Sequence, residues 1–251
     1  MVRVSPDSRR PRWLVAQRWD NLLFAHWPVE PEAVRRLLPS GIEPDTRDGS
    51  AWLAIVPFVM VDTRPYGAPR SAALAPIPEL NVRTYVRVAD TPAVWFLSLD
   101  ATSRFFASMG RVLYGLRYRL SRMLVVPDGK EVHYMSAGRD AAFAASYAPS
   151  TAPAAAAAGT LEHFLVERYR LFAERRGRLI TAEVAHEPWP LQTARARISL
   201  NSMAPRGLSL EAQPLLHYCR SMEALISAPK VVPSPRRAPI RGARLRSARA
   251  A

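Results

Sequence analysis

Glu79, Asn81, Arg83 and Tyr85 occupy alternate positions of ELNVRTYVRV, residues 79–88. Alternate side chains of an extended chain leave on one face, so these polar groups share a side with Arg87 while Leu80, Val82, Thr84, Val86 and Val88 share the other. A carboxyl, an amide, a guanidinium and a phenol in a row could move a proton and hold an anion. Arg83 is the best match to a carboxylate, because its planar fork meets both oxygens. Glu79 is the matching candidate for proton transfer. Four residues of strand span ~13 Å, so Glu79 and Arg83 cannot simply pair with each other. Each needs a partner on another strand or on a ligand, since an unpaired buried charge is costly. Two readings stand: the row faces an enclosed cavity, or it is a structural polar network or solvent face.

HEPWPLQ, residues 186–192, is the second constellation. Pro188 and Pro190 stiffen the backbone on both sides of Trp189 and fix the direction of its indole. His186 stands at the end of a strand and suits general acid or base work near neutral pH, with a structural histidine as the plainer alternative. Trp189 and Gln192 are candidates for ligand contact there. His26, in HWP, is a further ligand-contact candidate or a packing residue beside Trp27. His26, His163, His186 and His217 show no ligand-like spacing, so neither a metal nor another cofactor is expected. A single cysteine, Cys219, leaves no intramolecular disulfide and reads as a packing residue. Phosphate loops, dinucleotide fingerprints and nucleophile elbows are missing from the sequence.

Composition and charge narrow the setting. The 251 residues are 49% hydrophobic, enough for a sizeable core, and the longest apolar run, 51–61, is too short for a membrane helix and carries Pro57. Of the net charge of +14, +3 falls on residues 1–12 and +7 on 229–251, so basicity belongs to the two ends. Both ends read as disordered tails, and nucleic acid or an anionic surface is a partner only through the C-terminal one. The basic N-terminus lacks a following apolar segment, so a cytoplasmic protein is expected. Oligomeric state is not legible.

The elements that must position these residues follow from periodicity. Strands are expected over 18–29, 51–61, 79–88, 91–101, 117–126, 131–138, 142–148 and 193–201, with hairpins turning at Asp48-Gly49 and Arg176-Gly177. Helices are expected over 31–39, over 100–115 with Asp100 or Thr102 as cap, and over 159–169. Residues 148–159 resemble a linker, and 215–226 is ambiguous. The fold class is α+β, β-dominated: an antiparallel β-barrel with two or three short helices, as one domain over 13–228.

HWPVEPEAVRRLLPSGIEPDT, GSAWLAIVPF, ELNVRTYV, VWFLSLDA, GTLEHFLVERY, HEPWPLQ and PLLHY resemble, in order, the YqjF-like proteins, a bacterial group of unknown function; the resemblance covers residues 13–226. That group is in turn similar to acetoacetate decarboxylase, which implies a cone-like barrel with a small-molecule pocket. Decarboxylases of that family use a buried lysine that forms a Schiff base, expected near the helix after VWFLSLDA. Here that stretch is TSRFFASMGR, without lysine, and only Lys130 and Lys230 exist in the chain. The reaction classes left are proton transfer next to a carbonyl, or decarboxylation or isomerisation without an imine, on a small organic ligand, a carboxylate best matching Arg83. The other class is a non-catalytic ligand- or protein-binding module with a basic tail.

Overall fold

A computed structural model describes residues 12–233. The N-terminal half builds β1 (Trp13–Val29), α1 (Pro31–Arg35), β2 (Glu43–Pro44), β3 (Ala51–Pro65), β4 (Ile77–Val88), β5 (Thr91–Ala101) and α2 (Arg104–Tyr114). The remainder adds β6 (Tyr118–Leu120), β7 (Arg122–Asp128), β8 (Glu131–Ala137), β9 (Ala142–Pro149), α3 (Leu161–Val166), β10 (Arg170–Arg175), β11 (Arg178–His186), β12 (Gln192–Asn201), β13 (Leu215–Ser227) and β14 (Lys230–Val231). The ambiguous segment is therefore a strand, β13.

Seven strands run in the order β11-β10-β5-β4-β3-β1-β13, and Val184–His186 of β11 pair back onto Ala224–Ile226 of β13 to close a barrel. All its joints are antiparallel except β10–β5, where Leu171 and Phe172 run parallel to Val94 and Trp95. Closure removes free edges from the barrel. β12 pairs briefly with β13, then leaves it to join β9, β8 and β7 as a second layer.

β3 and β4 thus have two largely buried faces. Leu80, Val82, Val86 and Val88 of β4 point outward, packing with Leu53, Ile55 and Trp95 beneath Val132, Tyr134 and Tyr147 of the second layer. Each fully buried aliphatic side chain there contributes about 1.5–3 kcal/mol. Inward-facing residues form a separate cluster around Phe24, Trp52, Phe58, Tyr85 and Trp189, with α2 and α3 contributing at its margins. Two irregularities decide which residues face in. Asn21, at φ 57°, breaks the β1–β3 register, so Gln17 and Trp19 face in before it, and Leu22, Phe24 and His26 after it. In β5, Ser98 opposes Val82 and Phe96 opposes Arg83, leaving Leu97 as the extra residue of a bulge.

Several expectations need correction. Asp48 and Gly49, at φ 53° and 80°, do form a tight turn closed by Arg47 and Ser50, but the arm before it, β2, pairs with Arg87 and Val86 of β4. Helix α1 stops at Arg35, and α3 spans only Leu161–Val166, capped by the Thr160 hydroxyl. Ser103, not Asp100 or Thr102, caps α2 by accepting from the Phe106 amide; Asp100 is buried and paired with Arg119 instead. The tail boundaries shift as well: the Arg12 carbonyl accepts from the Ala228 amide, and Lys230 and Val231 pair with Thr181 and Ile180. The rest of both expected tails, residues 1–11 and 234–251, lies outside the described residues.

Candidate functional site

Glu79 lies on the inward face of β4 and is 4% exposed. Its Oε2 accepts a hydrogen bond from the Tyr118 hydroxyl at 2.6 Å, and the Asn81 amide donates to the same carboxyl. The Tyr134 hydroxyl fixes its backbone carbonyl at 2.8 Å. Beside it is a cavity of about 120 Å³ walled by Val15, Phe58, Met60 and Leu99 and roofed by Phe106 and Met109 of α2. Burial in these surroundings pushes the Glu79 pKa up to about 7, against the opposing pull of the Tyr118 and Asn81 hydrogen bonds. A carboxyl titrating near neutrality can both take and return a proton.

Gly110 of α2 sets the height of that roof. A Cβ there would stand 2.4 Å from the Tyr118 ring. Gly110→Ala is expected to push Tyr118 off Glu79 and lower stability by about 1–3 kcal/mol. A urea-unfolding midpoint equal to that of the unsubstituted protein would refute the close contact.

Further along the same face, Arg83 lies with its guanidinium carbon 5.4 Å from the Phe24 ring and 5.9 Å from the Tyr85 ring. It hydrogen-bonds Tyr85, yet its Nε is buried without a partner. Among the described residues no carboxylate forms an ion pair with it. The Tyr85 hydroxyl meets His26 Nε2 at 2.7 Å, while His26 Nδ1 has no partner. Burial, then the nearby Arg83 charge, then His217, hold His26 neutral by lowering its pKa well below the usual imidazole value.

The prolines of HEPWPLQ deliver Trp189 into the barrel, 3% exposed, stacked on Trp19 at 6.0 Å and edge-on to Phe24 at 5.0 Å. Its backbone N–H donates to Glu167 Oε1, while its indole Nε1 is buried without a partner. His186 supports this loop: its Nδ1 meets the Glu187 carbonyl at 2.7 Å and its ring stacks on Tyr169 at 4.6 Å. Burial is the first cause of its lowered pKa.

Of the residues singled out in the sequence, Glu79, Asn81, Arg83, Tyr85, His26, His186 and Trp189 therefore meet inside the barrel, with Glu79 on the cavity wall and the other six grouped along the interior from it. Gln192 does not join them. Its side chain donates to the Thr151 carbonyl on the outer side, because β12 leaves the barrel at that point. Both lysines are exposed, Lys130 in the β7–β8 turn and Lys230 on β14, so no side-chain amine faces the interior.

Sequence reasoning did not single out Tyr118, Phe24, Trp19 or the pair Asp45 and Arg168. Alternation in LRYRL was a usable signal for Tyr118. The Asp45–Arg168 contact, 123 positions apart and 2.6 Å long, left none. Arg168 lies 4.3 Å from the Phe164 ring and 5.2 Å from that of Tyr85, so this ion pair fixes α3 against the Arg83 end of the interior. No helix among the described residues is long and apolar enough to cross a membrane.

Comparison with known proteins agrees with this architecture. The model of the DUF2071 family, described as an uncharacterized conserved protein, matches residues 16–223. YqjF of Bacillus subtilis (strain 168), an uncharacterized protein, is 38% identical over 218 residues, covering 85% of this chain and 90% of that one. Among solved structures, the enduracididine biosynthesis enzyme MppR complexed with pyruvate aligns at TM-score 0.67 and 13% identity, over 91% of this chain and 94% of that one. An acetoacetate decarboxylase-like enzyme from Sphingomonas wittichii RW1 aligns at TM-score 0.64 and 15% identity, over 92% and 97%. Identities this low establish likeness of fold alone, whereas the family match and YqjF establish kinship: the chain belongs to the DUF2071 family, is YqjF-like, and has the acetoacetate decarboxylase-like fold.

Proposed function

We propose that the barrel binds a small carboxylate-bearing molecule, with Arg83 holding the carboxylate and Glu79 moving a proton on the same ligand. The observation that carries this is Arg83 itself, a partly buried guanidinium on the inward face of β4 whose Nε is buried without a partner, with no acid opposite it among the described ion pairs. A charge in that position is stabilised by an anion brought from outside. The unpartnered Trp189 Nε1 and His26 Nδ1 add polar atoms that a ligand would satisfy. MppR, which shares the fold, is described in complex with pyruvate, a small carboxylate, and this supports the same ligand class here.

The chemistry assigned to Glu79 needs no imine. Its ionised form takes a proton from the carbon next to a carbonyl, leaving an enolate; the neutral acid then returns the proton to that carbon or a neighbouring one. Atoms and charge balance within the ligand and Glu79, as in an isomerisation or α-proton exchange. His186, tied to backbone, holds Trp189 in place on this reading.

Calorimetric titration with pyruvate tests the binding step. Arg83→Ala is expected to weaken it at least tenfold, since hydrogen bonds to a charged partner contribute about 1.5–3 kcal/mol. An unchanged affinity in a folded variant overturns the proposal. In deuterated water, Glu79→Gln should stop exchange of the pyruvate methyl protons followed by NMR; continued exchange at the original rate removes Glu79 from the role.

A further inference from the structure

We infer that two copies of the protein join edge to edge at β7, pairing antiparallel about a two-fold axis at Val125. This goes beyond the ligand reading and does not depend on it.

β7 stands last in the second layer, with β8 on one side and no strand on the other. The other strands at an end of the sheet or off its main path, β2, β6 and β14, have only two or three residues each. β7 runs through seven, RMLVVPD. A free edge of that length is a template for another strand.

The backbone groups it offers follow from the turn into β8. Asp128 and Glu131 flank a two-residue turn that Gly129 opens at φ 58°, so they form a hydrogen-bonded pair. By alternation Val126 with His133, Leu124 with Met135 and Arg122 with Ala137 do the same. The backbone groups of Met123, Val125 and Pro127 therefore point away from β8. None of these three bonds the backbone of another segment among the described residues. Pro127, with no N–H to give, sits where a strand edge tolerates it.

The charges of β7 select the register. Centred on Val125, the pairing sets Arg122 opposite the partner's Asp128, and Leu124 opposite the partner's Val126. Arg122 and Asp128 are exposed, and neither has an ion-pair partner among the described residues. Leu124 and Val126 are 55% and 42% exposed in the single chain. The two-fold repeats each contact, so one strand carries both halves of the match. Val125 exchanges both backbone bonds with its own counterpart, and each Met123 N–H donates to the partner's Pro127 carbonyl. The alternative register, Leu124 facing its own copy, shortens the overlap and turns Arg122 onto the partner's Val126. Opposite charges facing across strands favour the first.

Sedimentation velocity of the full chain over a range of concentrations reads this association. The unsubstituted protein is expected to pass from monomer toward dimer as concentration rises. Arg122→Glu sets carboxylates against each other, and Asp128→Arg sets guanidiniums against each other. At low salt each should raise the dimer dissociation constant by about tenfold. Mixing the two single variants restores opposite charges at both contacts and should recover a dimer as tight as the original. Val125→Pro removes the N–H at the centre of the pairing without removing a bond to β8, and should leave a monomer. Should that variant fail to fold, the two exposed charge variants and their mixture still decide. A monomer at every soluble concentration, or a dimer that the substitutions leave intact, overturns the proposal. So does a dimer weakened by both charge reversals that mixing does not recover.

Discussion

Asp45→Asn is expected to lower the free energy of unfolding by about 3–5 kcal/mol, the usual cost of removing one partner from a buried ion pair. Asp45 and Arg168 have side chains only 5% and 4% exposed, with Oδ2 and Nη1 2.6 Å apart. Burial already lowers the Arg168 pKa, and the Asp45 carboxylate is the chief force opposing that. Asparagine keeps the shape and one accepting oxygen but removes the charge, so the buried guanidinium is left without an anion, among neutral acceptors and two aromatic faces. Arg87, the other partner of Asp45, is 46% exposed, and Arg87→Ala should cost less than about 1 kcal/mol. Urea unfolding of the two variants checks the contrast. Equal, small losses would mean that Asp45 does not anchor α3.

Glu79→Gln should abolish a pH dependence of stability worth roughly 3 kcal/mol. In the folded protein Glu79 keeps its proton up to about pH 7, while its ordinary value is 4.5. Between these limits the folded state binds more protons than the unfolded chain, so stability falls as pH rises from about 4.5 through 7. A difference of about 2.5 pKa units at 1.36 kcal/mol each gives the stated size. Glutamine cannot ionise and still accepts from Tyr118, so the variant should lose less stability than the unsubstituted protein across this window and match or exceed it at pH 8. Parallel pH profiles for the two proteins would show that the Glu79 carboxyl is better solvated than its burial indicates.

The legible part of the fold was local. Alternation in 79–88 located β4 and separated its polar and apolar faces, because a half-polar strand has a period of two whatever surrounds it. The turn at Arg176-Gly177 was legible for the same reason: both residues take positive φ, 53° and 71°, which glycine at the second position favours. A closed barrel was expected, but which strands close it was not legible. The β11–β13 pairing and the parallel β10–β5 joint bring together segments whose sequences carry no mark of their partners. The bulges at Asn21 and Leu97 were also invisible, although the first decides that Trp19 and Phe24 both face inward. At the start of α2, Asp100, Thr102 and Ser103 are all chemically able to cap, and tertiary demand chose: Arg119 and Ser121 claim the Asp100 carboxylate.

The candidate site was legible where one strand carries it and illegible where it is assembled. Glu79, Asn81, Arg83 and Tyr85 came from one stretch of sequence. Gln192 was assigned by proximity to Trp189, but the chain crosses from the barrel to the outer layer between them, and the glutamine ends on Thr151. Tyr118, the direct partner of Glu79, lies 39 positions away on a three-residue strand.

The placement of Lys130 and Lys230 has a practical consequence. Reagents that couple to ε-amino groups will tether this protein to a sensor chip at a hairpin tip or at a marginal strand, both exposed and both outside the barrel interior. Attachment at these amines leaves the barrel interior untouched, so the proposed binding of pyruvate can also be tested by surface plasmon resonance.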